Sequence, residues 1–373
     1  MKSPGLTWES RRKRVNWSET EGYGISGVAV GIIMGSIIID LAGLELSSEE
    51  YEILQHPQIA GIIFFARNYE SPIQLKNLIS HIRECSAQRR LLLTVDQEGG
   101  RVQRFFSGFT PLPPIGKIGK LYETNPEQAL HFAKAHGWIM ASELLALGID
   151  LSFAPVLDLD NQINQVIGER SFHGDPVIVT KLARATIHGI HSAGMYTVGK
   201  HFPGHGSVTL DTHKECAIDI RDYATIEATD LIPFSTLSPY LDAMMTAHIV
   251  YSKVDPIPCS FSSTWLQTIL RKKLNFTGAI FTDDLSMQAA QTMGNISERV
   301  ELALQAGCDG LLICNNRADA ISALEYLEGS RRPDMPNSKR RLQKLFSHRT
   351  LGDIASLQQT AAWREAVCML NKL

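Results

Sequence analysis

The chain has 373 residues, 44% of them hydrophobic, with 36 basic and 39 acidic residues and a net charge of −3. That length suits one large α/β barrel or two average domains, and the balanced charge lacks the basic excess of a nucleic-acid-binding protein. Cys85, Cys216, Cys259, Cys308, Cys314 and Cys368 form no CxxC pair, which fits reduced thiols in a cytosolic protein better than a disulfide framework.

The N-terminus carries RRKR at 11–14 and an uncharged run, ISGVAVGIIMGSIII, at 25–39. The pair loosely resembles a secretory signal, but Glu19 and Glu21 interrupt the gap and no small-x-small cleavage site follows. The run is too short to span a bilayer, and its second half is expected to be a buried first strand. Residues 1–33 are expected as a loosely held extension, with Met34 as an alternative start of translation, and no other stretch is long enough to be transmembrane.

Short apolar runs then recur in chain order. They are SIIIDLA (36–42), GIIFFA (61–66), LLLTVD (91–96), LSFAPVLDLD (151–160), YTVGKHF (196–202), AMMTAHIVY (243–251), GAIFTDDL (278–285) and GLLIC (310–314). They are rich in Ile, Val, Leu and Phe without strict alternation, as parallel strands covered on both faces should be. Helical stretches lie between them. Ser47 and Glu50 form a capping box, Ser71-Pro72 and Asp175-Pro176 place a cap before a first-turn proline, and Gly148 and Gly194 sit where helices should stop. Strands alternating with helices in this way predict a (β/α)8 TIM-like barrel. A doubly wound sheet is the alternative, but no strand runs into GxGxxG. The tail, including KRRLQKLF and TAAWREAVCML, is expected to be helical and to close the barrel, making residues 34–373 a single domain.

A barrel of this kind builds its active site at the C-terminal ends of its strands. Strand three ends in Asp96, strand four in Asp158 and Asp160, strand six near His248, and strand seven in Asp283 and Asp284. Strand five runs into KHFPGHGSVTLDTHKE, residues 200–215, a loop dense in titratable groups. His201 and His205 have HxxxH spacing, but Pro203 and the flanking glycines prevent the helix on which both rings would face a metal. Asp211 and His213 sit two apart, where a carboxylate could fix an imidazole as a proton donor. Asp283 is placed to be an opposing nucleophile. Arg104, Arg170, Lys200 and His201, with Asp96 as acceptor, could grip the hydroxyls of a sugar.

The motifs VDQEGGRVQRF, SFAPVLDLD, GERSF, KHFPGHG…DTHKE, MTAHIVY and FTDDLSM, in this order, resemble those of family 3 glycoside hydrolases, and more narrowly the bacterial single-domain β-N-acetylhexosaminidases of cell-wall recycling. The resemblance covers about residues 34–330. It implies a nucleophile at Asp283, a histidine acid/base at His213 oriented by Asp211, and sugar-binding positions at Asp96, Arg104, Arg170, Lys200 and His201. It assigns no chemistry to His205. The implied enzyme is a cytoplasmic, monomeric, exo-acting, retaining β-N-acetylglucosaminidase, acting on GlcNAc-anhydroMurNAc muropeptides without metal or organic cofactor. It has no nucleic-acid or membrane partner. Three alternatives remain at this stage: a glycoside phosphorylase, a β-glucosidase of the same fold, and a sugar-binding barrel without turnover.

Overall fold

The computed structural model describes residues 35–86, 89–164, 166–208, 217–330, 335–347 and 352–373. Ten strands run along them: β1 (Ile37–Asp40), β2 (Ile59–Phe64), β3 (Leu92–Val95), β4 (Leu151–Ser152), β5 (Val198–Phe202), β6 (Ala217–Asp219), β7 (Ala243–Thr246), β8 (Ile249–Tyr251), β9 (Ala279–Thr282) and β10 (Leu311–Ile313). Eight of them form the barrel. One five-stranded sheet has the order β10-β1-β2-β3-β4, and a three-stranded sheet has the order β5-β7-β9. Parallel bridges join the sheets at both edges, Leu151 to Tyr196 and Phe281 to Gly310, so the ring closes.

Every ladder is parallel, and helices cover the outer face. This explains the unbroken apolar runs. In β1, Ile37 and Ile39 pack outward against the helix layer. Ile38 joins Ile63, Leu92, Phe153, Val198, Met245, Phe281 and Leu312 in a second core inside the ring. Leu342, Leu345 and Phe346 belong to that inner core too, so the helix Pro336–Gln343 and the turn after it plug the ring.

An aspartate one or two residues before each of three strands has a recurring task. Asp150, Asp242 and Asp309 accept the backbone N–H of Leu93 (3.0 Å), Thr197 (2.9 Å) and Ile280 (2.9 Å), each at the start of the neighbouring strand. The expected helix signals form as well. Ser47 and Glu50 make a reciprocal capping box, Asp175 caps the helix Pro176–Ala193, and Gly194 ends it in the left-handed region at φ 100°.

Two expected strands are corrected. LSFAPVLDLD is strand only at Leu151–Ser152, because Pro155 has no N–H to donate to a ladder. AMMTAHIVY is two strands, not one. β7 stays in the barrel, while β8 leaves it after His248 and pairs with β6.

Candidate active site

The strand ends that carry the candidate residues all open on one face of the ring. On β5, Lys200 points into the barrel mouth. Its Nζ donates to Asp96 Oδ1 at 2.7 Å and lies 2.6 Å from Glu98 Oε1. Glu98 in turn takes a two-pronged bond from Arg170, Nε to Oε2 and Nη2 to Oε1, both 2.8 Å. Arg104 Nη2 stands 3.8 Å from Asp96 Oδ2, and its guanidinium lies over the Phe65 ring. Four of the expected sugar-binding residues thus form one chain, Arg104–Asp96–Lys200–Glu98–Arg170, whose link to Arg170 is a residue that the sequence did not single out, Glu98.

Their exposures divide them. The side chains of Asp96 and Arg104 are 20% and 28% exposed, against 2% for Lys200 and 11% for Arg170. Asp96 and Arg104 therefore face the opening, and the other two form the floor behind it.

Burial and pairing fix the charges. Burial would raise the Glu98 carboxyl, but Arg170 and Lys200 hold it well below the usual carboxylate range. Burial would lower the Lys200 ammonium, and Asp96 and Glu98 more than reverse that. Arg170 is likewise held charged by Glu98 against the cost of burial. The floor is an ionised lattice of alternating sign.

The loop after β3 owes its course to Gln97, whose Oε1 accepts the N–H groups of Arg104 (2.8 Å) and Phe105 (3.2 Å). This folds Arg104 back toward Asp96. Gly99 and Gly100 make the reversal at φ 102° and 56°, which other residues resist.

His201 hangs from a different carboxylate. Its Nδ1 lies 2.7 Å from Asp158 Oδ2. Asp158 is fully buried and also accepts the N–H groups of His201 and His205, the latter at 2.7 Å. Burial alone would raise Asp158, but His201 and these N–H donors hold it low. Asn164 orders the next step of the loop. Its Oδ1 accepts from Val166 and Ile167, and its Nδ2 donates to the carbonyls of His205 and Val208. The same Nδ2 lies 3.1 Å from His205 Nδ1. Burial lowers His205 to about 4, with Asp158 opposing, so the ring is neutral near pH 7.

Asp283 follows β9. Its N–H donates to Thr246 O at 3.2 Å, its Oδ1 accepts from Asp284 N–H at 2.8 Å, and its charge reaches His205. Asp211 and His213 lie outside the described residues. Among the described residues no three His, Cys, Asp or Glu side chains gather as a metal site.

Glu98, Gln97, Asp158 and Asn164 were not marked as site residues from the sequence. The only signals were the proximity of Gln97 and Glu98 to Asp96 and the strand-end position of Asp158. On this geometry, the mouth of the barrel can offer charged hydrogen-bonding partners to a polyhydroxyl ligand, with a carboxylate on a neighbouring strand end.

Sequence and structure comparisons agree on the class. The profile described as the glycosyl hydrolase family 3 N-terminal domain matches residues 29–345. A β-hexosaminidase of Nitrosomonas eutropha is 46% identical over 343 residues, 92% of this chain and 97% of the relative. One from Tolumonas auensis is 49% identical over 333 residues, 89% and 96% of the two chains. The crystal structure of NagZ from Neisseria gonorrhoeae in complex with N-trifluoroacetyl-D-glucosamine superposes with a TM-score of 0.84 at 40% identity, over 92% of this chain and 98% of that one. The chain belongs to glycosyl hydrolase family 3, and it is a glycoside hydrolase.

Proposed function

We propose that the chain removes terminal GlcNAc from peptidoglycan fragments, GlcNAc-anhydroMurNAc muropeptides, as an exo-acting retaining β-N-acetylglucosaminidase of cell-wall recycling. It is a β-N-acetylhexosaminidase, the activity for which its curated relatives are named. The supporting observation is the chain of ion pairs linking Asp96, Lys200, Glu98 and Arg170, at the same barrel mouth as Asp283. The GlcNAc analogue held by the Neisseria gonorrhoeae structure accords with a hexosamine in that mouth.

In the proposed reaction, Asp96, Arg104, Arg170, Lys200 and His201 hold the sugar. Asp283 donates an electron pair to the anomeric carbon. The glycosidic C–O bond breaks toward the leaving oxygen, which takes a proton from His213. Asp211 keeps that imidazole in its productive tautomer. His213 then removes a proton from water, which displaces Asp283 and releases the sugar with its configuration retained. No described helix is long and apolar enough to cross a membrane. The assignment includes a cytoplasmic monomer whose catalytic domain is residues 34–373, with 1–33 as an extension.

The test is hydrolysis of chromogenic β-glycosides by the purified chain. GlcNAc should be released quickly and glucose slowly, at the same rate with or without phosphate. Phosphate-dependent release of GlcNAc-1-phosphate would make the enzyme a phosphorylase, and preference for glucose would make it a β-glucosidase.

A further inference from the structure

Two adjacent aspartates end β9, and the reaction above uses only Asp283. Asp284 is tied down on all sides. Its N–H donates to Asp283 Oδ1 at 2.8 Å. Its carbonyl accepts from His248 Nε2 at 3.1 Å. Its Oδ1 accepts two backbone N–H groups, Ser286 at 2.8 Å and Cys314 at 2.9 Å.

These bonds reach both neighbouring strands. Cys314 follows β10, so the Asp284 carboxylate stitches the end of β9 to the end of β10. His248 follows β7, and its ring stacks on Phe261 with centroids 5.7 Å apart and planes at 12°. The next residue reinforces the turn. Leu285 N–H donates to Leu312 O at 2.8 Å, and Arg299 donates to the Leu285 carbonyl. The peptide unit that follows, from the Asp284 carbonyl to Leu285 N–H, is therefore held from two sides, next to the N–H that meets Asp283.

A turn residue that served only the fold would need the Ser286 bond, which closes a local Asx turn. The bond across to Cys314 ties that turn to β10, as other aspartates here tie neighbouring strands, and Asp284 also turns its own N–H onto the Asp283 carboxylate. Burial raises the Asp284 carboxyl to about 6, its N–H bonds from Ser286 and Cys314 oppose this, and the nearby charge of Asp283 adds to the rise. It keeps its place at that cost.

We propose that Asp284 is a positioning residue for Asp283: by bridging β9 to β10 it aims its own N–H, which fixes the Asp283 carboxylate and sets which oxygen meets the sugar. The proposal rests on the assignment of Asp283 as nucleophile. A misplacement of about 1 Å at a reacting atom costs on the order of 100-fold in rate. The sugar grip comes from the other side of the mouth, on β3 to β5, and should not feel the change.

The test compares Asp284→Ala and Asp284→Asn in the full chain, with a chromogenic β-GlcNAc glycoside as substrate and GlcNAc as competitive inhibitor. Asp284→Ala should lose roughly 100-fold in kcat with the GlcNAc inhibition constant unchanged. Asp284→Asn keeps an Oδ1 acceptor for both N–H groups and should recover most of that loss. A purely structural Asp284 would lower the melting temperature and leave kcat per folded molecule intact. Folded Asp284→Ala with full kcat, a loss in affinity instead of kcat, or Asp284→Asn as poor as Asp284→Ala would each overturn the proposal. Should Asp284→Ala not fold, His248→Phe decides. It keeps the stacking on Phe261 but removes the donor to the Asp284 carbonyl. A reduced kcat at unchanged affinity supports the proposal, and an unchanged kcat overturns it. Asp283→Ala separates the two levels. If it keeps full turnover, the nucleophile assignment fails. If it is inactive while Asp284→Ala is fully active, only the positioning role fails.

Discussion

Glu98 sits between two buried cations, Lys200 and Arg170, and is the carboxylate they share. Glu98→Gln preserves the shape and removes the charge that keeps the cations from repelling each other. Hydrogen bonds to charged groups are worth about 1.5–3 kcal/mol, or roughly 10- to 100-fold in affinity. GlcNAc inhibition and KM should therefore weaken by about that factor. An unchanged KM with only a lowered melting temperature would assign Glu98 to stability alone. Its role could not be read from the sequence because its partner Arg170 is 72 residues away, and only the closed ring brings them together. The placing of Asp96 and Lys200 at the barrel mouth, by contrast, was legible, since both lie in the last residues of apolar runs and a barrel gathers strand ends on one face. The roles of Asp211 and His213 rest on the family resemblance and lie outside the described residues.

Strands were legible wherever an apolar run was bounded by turn signals, and helices wherever a cap announced them. Ser47, Ser71 and Asp175 each cap the helix that the sequence placed after them. What escaped was change within a run. AMMTAHIVY is apolar on both sides of His248, so nothing in its pattern marks the point where β7 ends and β8 leaves the barrel. That break matters for the chemistry, because it puts His248 at the turn where its ring reaches the Asp284 carbonyl. LSFAPVLDLD also looked continuous. Its strand stops early, yet Ala154 and Pro155 still offer their carbonyls to Val198 and Lys200, so the segment pairs with β5 irregularly and delivers Asp158 beneath His201.

Burial of ionisable groups throughout the protein also sets its response to acid. Burial lowers His136 to about 4, with a bond to the Pro113 carbonyl opposing, and His205 is lowered to the same level. The unfolded histidine value is about 6.5. Between pH 6.5 and 4 the unfolded chain binds protons that the folded chain refuses, so these groups stabilise the fold above that window and cease to do so as pH falls through it. Asp284 and Glu143 are raised chiefly by burial and act in the opposite sense, since the folded state protonates them first. The melting temperature of His136→Phe should therefore fall less steeply than that of the native chain between pH 6.5 and 4. Equal slopes would mean that His136 does not carry this linkage.

The covalent step through Asp283 is tested most directly by trapping. The enzyme is incubated with a 2-deoxy-2-fluoro glycoside bearing an activated leaving group, then digested, and its peptides are mapped by mass. The expected result is a single glycosyl adduct on Asp283, absent from Asp283→Ala. An adduct on Asp284 or any other residue, or catalysis that never yields an adduct, would contradict it.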